Sequence, residues 1–197
     1  MHNGEADRIM SLSIVTPIKN GEYLPQFIAS NKKRFRKYPL LVVDSGDGDA
    51  LKSYAHYYIK RDMPFWEARK HAYNKVQTQF ILNLDADVII PDGYLKDAIS
   101  LLESKVDVVS IFYEDVNHCQ GALEFGISVW KTEILKRLYD FSFEKIFSKE
   151  IVKVGQNIYS TLNNGWCECT YMWRKLAQAD GKLETLAYRA KHLHQYR

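Results

Sequence analysis

The stretch Phe80-Ile81-Leu82-Asn83-Leu84-Asp85-Ala86-Asp87 constrains this chain more than any other. Phe80 to Leu84 is a nearly unbroken apolar run, which suits a strand covered on both faces. Strands of that kind belong to α/β sheets, where ligands gather at the C-terminal strand ends. Asp85 and Asp87 fall at that end. Side chains two apart share a face while the chain stays extended, so the carboxylates are expected to converge. Two carboxylates ~4 Å apart repel by roughly 4 kcal/mol at an effective dielectric of ~20. A divalent cation such as Mg²⁺ or Mn²⁺ offsets that repulsion and prefers oxygen ligands. An Asp-x-Asp at a strand end also serves as a plain turn, each acid capping local amides.

The flanking segments alternate between strand and helix patterns. Leu12 to Pro17 is β-branched and reads as a first strand, ended by Pro17 and the Asn20-Gly21 turn. Tyr23 to Arg36 carries Leu24, Phe27, Ile28 and Phe35 near helical spacing. The basic run Lys32, Lys33, Arg34, Arg36, Lys37 suits that helix's C-terminus as a solvated face; a membrane or RNA patch is the other reading. Pro39 to Val43 is a second buried strand. The acidic loop Asp44–Asp49 lacks the spacing of a calcium loop and reads as a tight turn carrying one functional Asp. Ala50–His56 is expected as a short helix and Tyr57–Lys60 as a strand. Pro64 opens a helix running to Val76, with Ala68 and Ala72 on one face and Arg69 beside it. Gly93–Ser104 is amphipathic, and Val106–Phe112 is another strand. Leu123–Trp130 reads as a strand interrupted by Gly126, and Lys131–Tyr139 as a helix. Phe141–Asn164 has no assigned element and suits an active-site lid. A helix over Trp166–Ala179, stopped near Gly181, and a strand over Thr185–Tyr188 complete the pattern.

This alternation predicts an α/β fold, a three-layer αβα sandwich with a mostly parallel, mixed sheet. The 197 residues show no linker or repeat, so one domain over 1–197 is expected, with 1–10 as a flexible tail. Apolar residues make up 46% of the chain, enough for a sizeable core. A net charge of +3 permits an anionic substrate without demanding nucleic acid. No apolar run reaches membrane-spanning length, so a cytoplasmic protein is expected, with peripheral membrane contact left open. The cysteines, Cys119, Cys167 and Cys169, are odd in number and do not suggest a disulfide framework. Cys167-x-Cys169 supplies half a zinc site at most.

Four segments together resemble the GT-A fold glycosyltransferases, above all the family-2 nucleotide-diphospho-sugar transferases. Ser13-Ile14-Val15-Thr16-Pro17 followed by Asn20 resembles the family's first strand and turn. Leu41-Val42-Val43-Asp44-Ser45-Gly46 with Asp49 resembles its nucleotide-binding segment, Ser45 replacing a second Asp. Ala68-Arg69 leading to Leu82-Asn83-Leu84-Asp85-Ala86-Asp87 resembles its DXD region. Gly165 to Arg174 resembles its Glu-Asp helix. The resemblance implies a metal-dependent glycosyltransferase of hexosyl type, using Mn²⁺ or Mg²⁺. Its donor is a nucleotide-diphosphate sugar, and its acceptor a glycan, protein or lipid.

By the same resemblance Asp87 is the likelier direct metal ligand. Asp85 binds the ribose, the metal's water shell, or both. Asp44 accepts from the base, Thr16 and Pro17 line the base pocket, and Arg69 points to base or diphosphate. Glu168 takes the place of the catalytic base, though Cys167 replaces its acidic neighbour. His192, favoured over His194, resembles a further metal ligand. Glu124, Gly126 and Trp130 fall on the acceptor and sugar side, Trp130 by stacking on a sugar ring. Nucleotidyl transfer and non-catalytic nucleotide or sugar binding are the competing functions. Against nucleotidyl transfer, the first strand carries no glycine-rich phosphate loop with a lysine.

Overall fold

A computed structural model of the chain describes residues 11–104, 106–114, 123–141, 152–154, 157–159 and 168–193. The expected tail, Cys119, Gly121, Cys167, His194 and most of the expected lid lie outside these residues.

The strands of the main sheet are β1 (Leu12–Ile18), β2 (Leu40–Asp44), β3 (Tyr57–Lys60), β4 (Phe80–Leu84), β5 (Val88–Ile89), β6 (Val108–Tyr113), β7 (Ile127–Lys131) and β10 (Leu183–His192). They lie in the order β3-β2-β1-β4-β7-β6-β10-β5. The pairs β3/β2, β2/β1, β1/β4 and β6/β10 are parallel, while β7 runs antiparallel to both β4 and β6. The sheet is thus the mixed α/β sheet that the alternation predicted. Strands β8 (Val152–Val154) and β9 (Asn157–Tyr159) form a separate antiparallel pair within the span expected as a lid.

Helices cover both faces. On one side lie α1 (Leu24–Lys37) and α3 (Tyr94–Leu102); their Leu24, Phe27, Phe35, Tyr94, Ala98 and Ile99 join Leu12, Ile14, Val42 and Leu82 in one core. On the other lie α2 (Phe65–Lys75), α4 (Thr132–Leu138) and α5 (Glu168–Gln178), whose Ala72, Leu135 and Met172 pack with Val15, Val43 and Ile81. Even and odd residues of β1 therefore face different cores, as a pleated strand requires. Among the described residues no helix is long and apolar enough to cross a membrane.

Several expected elements change in detail. The helix over Ala50–His56 is only a 3₁₀ turn, Asp49–Leu51, in which Leu51 is the buried residue, and β3 follows at Tyr57. The strand expected from Leu123 starts at Ile127, since Ser128 N–H donates to Phe125 O in a turn. The last strand is longer than Thr185–Tyr188, and its register against β6 shifts between Thr185 and Arg189.

Asn31 ties the α1 layer to the functional edge. Its Nδ2 donates to Val88 O at 2.9 Å, and its Oδ1 accepts from Ile90 N at 3.0 Å. The side chain acts as a strand neighbour for β5 and is completely buried. Replacing it by Leu leaves a buried N–H and C=O unpaired, each costing about 1–3 kcal/mol. Asn31→Leu is expected to lower unfolding free energy by about 2–5 kcal/mol in urea titration; a change under about 0.5 kcal/mol, the range of neutral surface substitutions, contradicts the assignment.

Candidate active site

β1 places Ile18 opposite Asp44 on β2 and Val15 opposite Asn83 on β4. Asp44 and the residues just after β4 therefore stand at one edge of the sheet. The strand between them sets their backbones roughly 10 Å apart, at ~4.8 Å per strand. This is the C-terminal edge of parallel strands, where α/β sheets bind ligands.

Asp85 and Asp87 are not joined by extended chain there. Val88 N–H donates to Asp85 O at 3.2 Å, so the chain turns between them. The extended geometry expected of the pair is lost, and each acid has its own partner. Asp85 Oδ1 receives Arg69 Nη2 at 2.5 Å. Its other oxygen lies over Gly126, where an added Cβ would stand 1.9 Å from Oδ2. The strand break at Gly126 thus makes room for a carboxylate, and Gly126 O accepts from Asp85 N–H at 2.9 Å.

Arg69 gathers the interior of the site. It is 4% exposed, on the buried face of α2. One terminal nitrogen donates to Asn83 Oδ1 and the other to Asp85. Its Nε lies 3.0 Å from Glu168 Oε2, an ion pair outside hydrogen-bond geometry. The Phe125 ring lies 5.4 Å from the guanidinium carbon. Burial works against the charge, but Glu168 and Asp85 outweigh it and hold the guanidinium pKa above its ordinary value. Tyr139 donates its hydroxyl to Glu168 Oε1, and Tyr73 donates to Asn83 Oδ1. Asn83 Nδ2 donates to Phe125 O at 2.7 Å.

Asp87 pairs with the end of the described chain. β5 and β10 run antiparallel, Val88 facing His192, and Leu193 N–H bonds Asp87 O at 2.8 Å. His192 Nε2 then lies 3.1 Å from Asp87 Oδ2. The Tyr113 ring stacks on the imidazole at 4.8 Å with planes 3° apart. Burial alone would lower the His192 pKa; the Asp87 hydrogen bond and the charges of Asp87, Asp85 and Glu124 raise it above the ordinary imidazole value. Burial, with Asp85 and Glu124 next in size, holds the Tyr113 hydroxyl well above its usual pKa. Glu124 is buried, and Cys169 Sγ–H donates to its Oε2 at 3.4 Å.

Asp44 is enclosed, at 0% exposure. Its Oδ1 accepts from Gly46 N–H at 2.8 Å and its Oδ2 from the Tyr58 hydroxyl at 2.5 Å. Gly48 packs on it, an added Cβ falling 2.8 Å from Asp44 Cγ. Lys60 pairs with Asp49 at 2.5 Å. Thr16 is buried on β1 and Pro17 half-buried, both beside β2. Trp130 requires a correction. It is completely buried, stacks on Trp173 at 5.5 Å and donates to Ser128 Oγ at 2.7 Å. It pairs with Ile81, whereas Ile127 pairs with Leu84 next to Asp85, so it sits toward the opposite end of the sheet. Its indole fills the core and cannot stack on a sugar in the cleft.

Among the described residues no group of three or more His, Cys, Asp or Glu side chains is arranged to hold a metal ion. The arrangement offers instead a carboxylate–imidazole pair and a separate carboxylate on an arginine.

These features define an α/β fold of the GT-A type, and the fold comparisons agree. A mannosyltransferase, PcManGT, from Pyrobaculum calidifontis in complex with GDP-Man and Mn²⁺ shares 16% identity at a TM-score of 0.67, over 95% of this chain and 58% of that one. TarS 1-349 from S. aureus in complex with UDP-GlcNAc shares 16% identity at 0.62, over 95% and 60%. Glucosyl-3-phosphoglycerate synthase from Mycobacterium tuberculosis in complex with Mn²⁺ and UDP-Glc shares 18% identity at 0.50, over 66% and 60%. The chain thus spans about three-fifths of the length of those structures. No curated protein matches it. The model of glycosyl transferase family 2 matches residues 13–148, and the chain belongs to that family.

Gly126→Ala drives a methyl group into Asp85. It is expected to cost about 1–3 kcal/mol in thermal or urea unfolding, the usual range for overpacking. Wild-type stability in that variant would mean the carboxylate is not seated on this glycine.

Proposed function

We propose that the chain carries out glycosyl transfer from a nucleoside-diphosphate sugar, assisted by a divalent cation. The observation that carries the reading is the pair Asp87 Oδ2 and His192 Nε2, 3.1 Å apart, at the strand edge shared with Asp85 and Asp44.

The donor set fits a cation of this kind. One carboxylate and one imidazole suit Mn²⁺, with Mg²⁺ less favoured by the imidazole. Two protein ligands leave room for diphosphate oxygens and water, the usual way such ions are held at phosphate sites. Asp87 and His192 would hold the ion. When bound, it stabilises the negative charge that gathers on the leaving diphosphate.

The chain's own residues bind and orient the donor. Asp85, fixed by Arg69 and Gly126, offers its remaining acceptor capacity to the ribose. Asp44, Thr16 and Pro17 are assigned to the base, and the base reaches Asp44 only once Tyr58 or the Ser45–Gly48 turn gives way. Glu124 is assigned to the side of the transferred sugar through its charge, which acts on the same His192 and Tyr113 as the charges of Asp85 and Asp87. Relatives in complex with GDP-Man, UDP-GlcNAc and UDP-Glc support a sugar nucleotide as the donor class.

Calorimetry of the chain with GDP, UDP and their sugars, with and without Mn²⁺, tests this. Binding is expected only with the metal, and EDTA is expected to abolish it. Asp87→Ala removes the metal-dependent signal, and His192→Ala weakens it by at least about tenfold, the lower end for disturbing a metal's surroundings. Equal affinity with and without Mn²⁺ sinks the metal assignment. Preference for a nucleoside triphosphate favours nucleotidyl transfer instead.

A further inference from the structure

We propose that Glu168 is a positioning residue: it holds Arg69 in place against Asp85, and it is not the group that takes the acceptor's proton. The inference rests on the transferase reading above and assigns a different role within the same site.

The geometry carries it. Glu168 is 9% exposed at the first turn of α5. Tyr139 donates to one of its oxygens, and Arg69 Nε lies 3.0 Å from the other. A proton acceptor must come within hydrogen-bond reach of a substrate hydroxyl. Here both oxygens already face the chain.

Arg69 explains why a carboxylate is needed at 168. Its guanidinium is buried and cannot be discharged. A buried charge needs a counter-charge and hydrogen bonds, or it becomes costly. Without Glu168, Asp85 alone would have to supply the counter-charge, because Asn83 offers only a neutral amide oxygen. Asp85 also stands at the ligand edge, where its charge is wanted for the donor. With Glu168 present, one guanidinium is shared by two acids, and Asn83 fixes its plane from the end of β4. Without that charge Arg69 draws on Asp85 alone. Asp85 is then less available to a ribose or to the hydration shell of a cation.

The two roles differ in what they do to donor binding. A catalytic base can be neutralised without changing affinity for the donor. A positioning carboxylate cannot. Glu168→Gln, Glu168→Asp and Tyr139→Phe are therefore compared with the unaltered chain by calorimetry with Mn²⁺ and GDP or UDP. Thermal unfolding without ligand serves as the control for folding.

Glu168→Gln is expected to lose at least about tenfold in Mn²⁺-dependent nucleotide affinity, in line with outer partners of a metal site. Glu168→Asp keeps the charge and is expected to recover most of that loss. Tyr139→Phe removes the hydroxyl that seats Glu168 Oε1 and is expected to weaken binding in the same direction, by a few-fold. A folded Glu168→Gln protein with unchanged affinity overturns the inference. If Glu168→Gln does not fold, unchanged affinity in Tyr139→Phe does so. Failure of the unaltered chain to bind either nucleotide with Mn²⁺ overturns the transferase reading itself, a distinct result from binding that ignores these substitutions.

Discussion

The buried guanidinium of Arg69 is the constraint around which the site is built. It lies between two layers of structure, on a helix, yet its partners come from β4, from the turn after β4 and from the start of α5. Removing such a charge from water costs several kcal/mol even after relaxation. The chain offsets that cost with two carboxylates, an amide oxygen and the face of Phe125. Each partner must then stay where the guanidinium fork requires it, because the fork is planar and rigid. Asp85 owes its orientation to this demand as much as to its own backbone.

Gly126 shows how far the surroundings have adapted. A strand running through that position would keep a side chain alternating toward one face or the other. The chain instead breaks the strand and leaves bare backbone against Asp85. The same device recurs at Gly48, which packs on Asp44. At both strand ends a carboxylate is held by close backbone. Bulk on either glycine would push the acid out of register with its partners.

Most of the fold was legible because it depends on local pattern. Apolar runs marked β2 and β4, and three- and four-residue spacing marked α3. The site was legible only in part. Asp44, Asp85, Asp87 and Arg69 stood out as polar residues at the ends or flanks of apolar elements. Asn83 carried a signal that is easy to overlook, a polar side chain inside a buried strand, and it proves to anchor Arg69 and Tyr73. Tyr113, Tyr139 and Tyr58 carried no such signal, since a tyrosine in an apolar segment reads as core. Their hydroxyls or rings matter only through partners far away in sequence. Trp130 fails for the opposite reason: sugar stacking and core packing draw on the same apolar face, and only the register of β7 against β4 distinguishes them.

Asp85 and Asp87 are near neighbours in sequence, yet they occupy different physical settings. Asp85 is locked to an interior cation whose position the whole α2 face determines. Asp87 depends on a short antiparallel pairing at the sheet's edge, Ile89 with Lys191 and Val88 with His192. That pairing joins residues more than a hundred positions apart, and few ladder bonds support it. The turn between the acids lets these settings coexist, because an extended chain would force both carboxylates onto one face and one partner. The proposed donor, with a ribose and a diphosphate, would present two different groups to this edge. A fixed acceptor suits the ribose, whose hydroxyls need directional bonds. The edge pair, a carboxylate and an imidazole held 3.1 Å apart, would suit a cation shared with the diphosphate. The separation of the two aspartates thus matches the two tasks they would share.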